Sequence, residues 1–158
     1  DLFYETLKDI YYAERKISKA LPKMARNAQS EELKQAFQLH KDETDGQIER
    51  LQQIFELIGK RARGKTCAAI EGILEEGEEI MEEFNGTPAL DAGLLAAAQA
   101  VEHYEISRYG TLRAWAKQLG LKEAVALIEE TLAEEERTDE KLTGLAEDTV
   151  NAAAKKAA

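Results

Sequence analysis

The sequence has a single cysteine, Cys67, in 158 residues. It cannot close an internal disulfide, which excludes a disulfide-stapled scaffold and fits a reducing, cytoplasmic setting. Proline occurs only at Pro22 and Pro88 and β-branched clusters are few, so strand signals are almost absent. No apolar run approaches the ~20 residues needed to cross a bilayer. The greasiest stretch, Leu94 to Val101, is mostly alanine and is broken by Gln99. Basic residues are outnumbered, 21 against 31 acidic ones, for a net charge of −10. That balance argues against general nucleic-acid binding, which needs a positive face to displace counterions from phosphate. The Gly-x-Gly-x-x-Gly fingerprint, the P-loop and Cys-x-x-Cys are missing, so no organic cofactor is expected. Histidine is scarce, with only His40 and His103.

What is present is helical periodicity. Hydrophobic residues make up 44% and charged residues 33%, a composition that folds. Spacing predicts a first long helix from Leu2 to about Arg26, with Pro22 as a kink or early end. A second starts after Ser30 and runs to Ile58, stopped by Gly59. Thr66 can cap a shorter helix, Cys67 to Phe84, which Asn85-Gly86 ends. A third long helix opens near Pro88 and reaches about Gln118, and after Gly120 a fourth covers Lys122 to about Glu147. Residues 1–150 read as one domain, and 151–158 as a frayed alanine and lysine tail. Short links within the first and second pairs make antiparallel neighbours, while Lys60 to Thr87 is long enough to travel the length of a bundle. The expected fold is all-α, a ferritin-like four-helix bundle whose long crossover carries a short fifth helix. A plain up-down bundle with an appended helix is the alternative.

The apolar stripe of each long helix is interrupted at its middle. In the first it runs Phe3, Leu7, Ile10, Glu14, Ile17, Leu21, Met24. In the second it runs Leu33, Ala36, His40, Glu43, Gln47, Leu51, Ile54, Ile58. The third reads Leu95, Ala98, Glu102, Glu105, Tyr109, Leu112, Ala116, and the fourth Ile128, Leu132, Glu135, Asp139, Leu142, Ala146. Midpoints of antiparallel helices meet at one level. The sequence thus gathers Glu14, Glu43, Glu102, Glu105, Glu135 and Asp139, with His40 and Gln47, around one interior point. Burying a lone carboxylate costs several kcal/mol, and six together cannot all stay ionised without compensation. Two metal ions would supply it, and an oxygen-rich donor set favours iron or manganese. A weak repeat agrees: Glu14 and Glu105 lie 91 residues apart, and Glu43 and Glu135 lie 92 apart, as in halves related by an approximate twofold axis.

Blander readings stand beside these. His40 could be a core histidine bonded to Glu43 or Tyr11, and Glu102 and Glu105 could pair with Arg108. Glu134 and Glu136, flanking Glu135, read as solvated, as does the acidic run Glu75 to Glu83. Cys67 reads as a packing residue at a helix start.

The segments LKDIYYAERKISKALPKMA (7–25), HKDETDGQIERLQQIFELIG (40–59), AAIEGILEEGEEIM (68–81), AVEHYEISRYGTLRAWAKQLG (100–120) and EEERTDEKL (134–142) resemble the bacterial YciE/YciF stress-protein family. The resemblance covers nearly the whole chain. It implies a ferritin-like, stress-associated homodimer related to rubrerythrin, whose irons are held by glutamates on four helices and histidines from two of them. By position, Glu14 resembles the first-helix ligand, Glu43 and Glu135 the bridging ligands, and Glu102 and Glu105 the third-helix pair. Gly46 and Thr138 stand where a Glu-x-x-His motif would place histidines. Two functions follow. One is a di-metal protein for peroxide or oxygen protection or metal handling, of peroxidase or ferroxidase type. The other is a non-catalytic stress or structural dimer with a metal-free centre.

Overall fold

The computed structural model describes residues 1–156. Four long helices, α1 (Leu2–Asn27), α2 (Glu31–Leu57), α4 (Leu90–Gln118) and α5 (Lys122–Leu145), enclose the core, and α3 (Ala68–Glu83) packs outside on α4 and α1. Helix ends follow the local chemistry. Ser30 caps α2 by accepting a bond from the Leu33 amide, and Gly120 takes the positive φ of 71° that turns the chain between α4 and α5. Helix α1 continues through Pro22 to Asn27, so the proline is not a terminus. Helix α3 begins one residue later than expected: its cap is Cys67, whose Sγ accepts from the Ile70 amide, and not Thr66. After α5 the chain passes through a π-turn, Ala146–Val150, into a last helix, α6 (Asn151–Lys155). Residues 151–155 are therefore helical where fraying was expected, and the last two residues of that tail lie outside the described residues. Among the described residues no helix is long and apolar enough to cross a membrane.

Side-chain pairings fix the topology. Helix α3 runs alongside α1 in the same direction, with Glu71 near Lys16 and Glu78 near Lys23. The crossover thus carries the chain back along the bundle, and α4 starts at the α1–α2 turn. Asp91, in the first turn of α4, accepts the Gln29 amide on one oxygen and the Ser30 amide on the other, both at 2.7 Å. This excludes the plain up-down bundle, in which α4 would begin at the far end of α2. Helix α3 lies close to α4 because Gly93 has no side chain; a Cβ there would come within 2.6 Å of Ile80 Cγ2.

The Asp91 clamp was not foreseen from sequence, and it makes a prediction. Asp91→Ala leaves two amides of the turn without partners and should cost about 1–3 kcal/mol, while Asp91→Asn, which keeps an acceptor, should cost less. Urea midpoints of the two variants check this, and equal losses would contradict it.

Candidate metal centre

The apolar stripes converge as expected, forming one core that includes Leu7, Ile17, Leu51, Leu112 and Ile128. Glu14, His40, Gln47, Glu102, Glu105 and Glu135 are all buried at its middle. Glu43 and Asp139 are not: both are half-buried at the rim. The physical reason is the same on both helices. His40 and Gln47, like Glu135 and Leu142, are seven residues apart, and two helical turns span about 7.2 residues, so the inward line between them falls between adjacent positions. On α2 the buried position goes to Thr44, whose hydroxyl donates to the His40 carbonyl at 2.7 Å. Glu43 instead accepts a 3.1 Å bond from Thr138. On α5, Asp139 meets Gln99 Nε2 at 3.2 Å and His103 Nε2 at 3.1 Å. The approximate twofold is therefore broken: Glu135 is buried and its mate Glu43 is not, while Gln47 is buried and its mate Asp139 is not.

Four side chains from three helices form the tightest group. His40, Glu102, Glu105 and Glu135 each offer a ligand atom, all within 4.8 Å of one another. Ions held at about 2.1 Å from each donor leave opposed donors about 4.2 Å apart, so a small inward movement would close this shell. Nδ1 of His40 lies 2.7 Å from Glu102 Oε1, yet that oxygen has no hydrogen bond, so the approach lacks the alignment of one. Both oxygens of Glu102 and of Glu105, Oε2 of Glu14, Oε2 of Glu135 and Nε2 of His40 are buried without partners. Buried polar atoms are normally satisfied, and so many orphans at one point are what a cation would satisfy.

The electrostatics carry the same signature. Burial, then the charge of Glu135, pushes the Glu14 carboxyl up to about 8. Burial with Glu135 close by pushes Glu102 up to about 12 and raises Glu105 well above the usual carboxylate range. Burial lowers His40 and keeps its imidazole neutral, the form that ligates metal. Tyr109, fully inside, donates its hydroxyl to Glu14 Oε1 and leaves Oε2 free.

The blander readings are resolved by these contacts. His40 turns to Glu102, not to Glu43 or Tyr11. Arg108 lies over the Tyr104 ring, 5.4 Å from its centroid, rather than pairing with Glu102 or Glu105. Cys67 packs beside Tyr104, with Sγ 3.0 Å from the hydroxyl, and burial raises its thiol, so it is no nucleophile. Glu136 is exposed as expected, whereas Glu134 is not free in solvent: it is clamped by Arg50 and by Gln47. Sequence reasoning missed Arg50 because a lone basic residue beside a stripe carries no periodic signal.

A family described as a domain of unknown function, DUF892, matches residues 1–155. Protein YciF of Escherichia coli (strain K12) is 47% identical over 152 residues, spanning 96% of this chain and 92% of that protein. The crystal structure of the E. coli stress protein YciF superposes with a TM-score of 0.91 over 96% of each chain. YcfI from Rhodopseudomonas palustris, whose description suggests a structural protein, aligns at 47% identity and a TM-score of 0.88, over 90% of this chain and 91% of its own. A Xanthomonas campestris protein at 23% identity, with a TM-score of 0.78, shares the fold.

Proposed function

The chain belongs to the DUF892 family and is a homologue of the stress protein YciF, and from that premise we propose that its buried centre binds two ions of iron or manganese in a protective or metal-handling role. The orphaned donors at one buried point carry this reading. Glu14, Glu102, Glu105 and Glu135 bring four negative charges when ionised, which two divalent cations neutralise. Hard oxygen donors with one imidazole suit iron or manganese over thiophilic metals. A redox-active pair there would supply the electrons that reduce peroxide or oxygen. The protein's own share is to position and to exclude water. His40, Glu102, Glu105 and Glu135 supply the donors, Tyr109 fixes Glu14 by one oxygen, and the surrounding aliphatic core keeps the site dry.

A second reading has an observation in its favour. Raised carboxyls are neutral acids at pH 7, so the same centre could persist without metal in a structural homodimer, sharing protons instead. Metal analysis of protein purified without chelators separates the two. The first reading expects about two equivalents of iron or manganese, retained on gel filtration, lost in a Glu102→Ala, Glu135→Ala variant and largely kept in Glu43→Ala, with peroxide consumption following the metal. Absence of metal after aerobic iron loading, with an unchanged melting temperature, would establish the second, and sedimentation would then test the dimer.

A further inference from the structure

A metal centre this deep needs a way in, and the seam between α2 and α5 carries a line of polar contacts that reaches the interior. Gln47 is fully buried; its Nε2 donates to Glu134 Oε2 at 3.0 Å, and its Oε1 has no partner. Glu134 is in turn held by Arg50, whose Nη1 lies 3.0 Å from Oε2 and whose Nη2 reaches Oε1. Arg50 also bonds Thr131 at 3.0 Å and Glu130 at 2.8 Å. Exposure falls steeply along this line: the Glu130 side chain is 61% exposed, while those of Arg50 and Glu134 are 13%. Oxygens thus run from solvent at Glu130, through Glu134, the chain neighbour of Glu135, to the unpartnered buried oxygen of Gln47, with one cation lying across them. The charge of Glu134 is already felt at Glu14 and His40.

Two of the other faces are closed differently. Beside α1 and α4 the crossover lies over the bundle, and Tyr104 bonds Asp9 there at 2.8 Å. At the α4–α5 rim, Asp139 is satisfied by Gln99 and His103, and its contacts lead to no unpartnered buried atom.

We infer that the α2–α5 seam is the route by which divalent cations reach the centre, and that the Arg50–Glu134 pair is its latch. The inference rests on the metal reading above. A hydrated cation entering a dry interior must exchange its waters for protein oxygens in steps. Glu130 and Glu134 provide charged steps, and Gln47 Oε1 provides a neutral one that does not trap the ion. Arg50 neutralises Glu134 and fills the passage, so a cation advances only when the guanidinium swings aside. Arg50 and Glu134 are positioning residues: neither is among the donors of the centre.

Stopped-flow uptake of Co²⁺ by the metal-free protein, read from its visible ligand-field bands, tests this. Equilibrium stoichiometry is measured on the same samples. Arg50→Gln should speed uptake about tenfold and Glu134→Gln should slow it by a similar factor, with stoichiometry unchanged. Glu130→Gln, at an exposed position that cannot threaten folding, should slow it less. His103→Ala, at the other rim, should leave the rate alone. Full stoichiometry with the same rate in all three seam variants, or a rate that responds to His103→Ala instead, overturns the route and leaves the metal reading standing. No cobalt bound by the wild-type protein at equilibrium overturns both.

Discussion

Freed of metal, the protein should become less stable as pH rises from about 5 to 8, against the trend of most acidic proteins, and saturating Mn²⁺ should abolish the decline. The sign follows from the carboxyls at the centre. In the unfolded chain each titrates near 4.5, whereas folding pushes Glu14 up to about 8, Glu102 up to about 12 and Glu105 well upward. Between the unfolded and folded values the native state holds protons that the unfolded state has released. Stability from these groups is therefore complete below the unfolded value and is lost as pH climbs toward the folded one. The slope is at most about 1.4 kcal/mol per pH unit for each group, so several units are large beside a total of about 5–15 kcal/mol. His40 acts oppositely: burial depresses it, so its contribution is complete above 6.5 and lost as acid protonates it. One histidine opposes three carboxyls, and the net direction in the window stays downward with pH. Under the metal reading, an ion would replace the protons, binding the native state alone and stabilising it by mass action, more strongly at higher pH where fewer protons compete. Melting temperatures across pH, with chelator and with Mn²⁺, read this directly. A metal-free protein whose melting temperature is flat or rises over that range would contradict the arrangement of the centre.

How much of this was legible in the sequence differs from link to link. The bundle and its crossover were legible because a 3.6-residue apolar stripe interrupted by short polar links admits few packings. Glu14, Glu102, Glu105 and Glu135 were legible because each lies on an unambiguous stripe position, and all four are buried in the structure. Glu43 and Asp139 were misplaced for a geometric reason: midway between residues seven apart, two neighbouring positions compete for the inward direction, and only packing decides. Thr44 takes the inner place on α2, and on α5 neither Thr138 nor Asp139 is fully buried. Contacts whose partners are far apart in the chain left no trace in the pattern. Asp91 on the α1–α2 turn spans 61 and 62 residues, and Arg50 on Glu134 spans 84. Such pairs depend on helix register, which a stripe does not specify.

The clearest separation of stability from function should come from Glu102→Gln with Glu105→Gln. Each substitution keeps the volume of the side chain, removes an ionisable group from the core, and supplies amide protons toward the remaining carboxylates of Glu14 and Glu135. At pH 8 the wild-type native state must hold protons on Glu102 and Glu105 that the unfolded chain has released, and glutamine removes that cost, about 1.4 kcal/mol for each pH unit above the unfolded value. The double variant should therefore melt higher than the wild-type protein at pH 8 in chelator, with a flatter dependence on pH. It should also fail to bind Mn²⁺ by calorimetry, because the two residues that present fully orphaned carboxylates are gone. A stabilised protein that has lost its metal is the mark of a centre kept for chemistry at the expense of the fold. Were the variant instead less stable without metal and equally able to bind it, Glu102 and Glu105 would be structural acids. The ions would then have to be held elsewhere, with the half-buried Glu43 and Asp139 the next residues to replace.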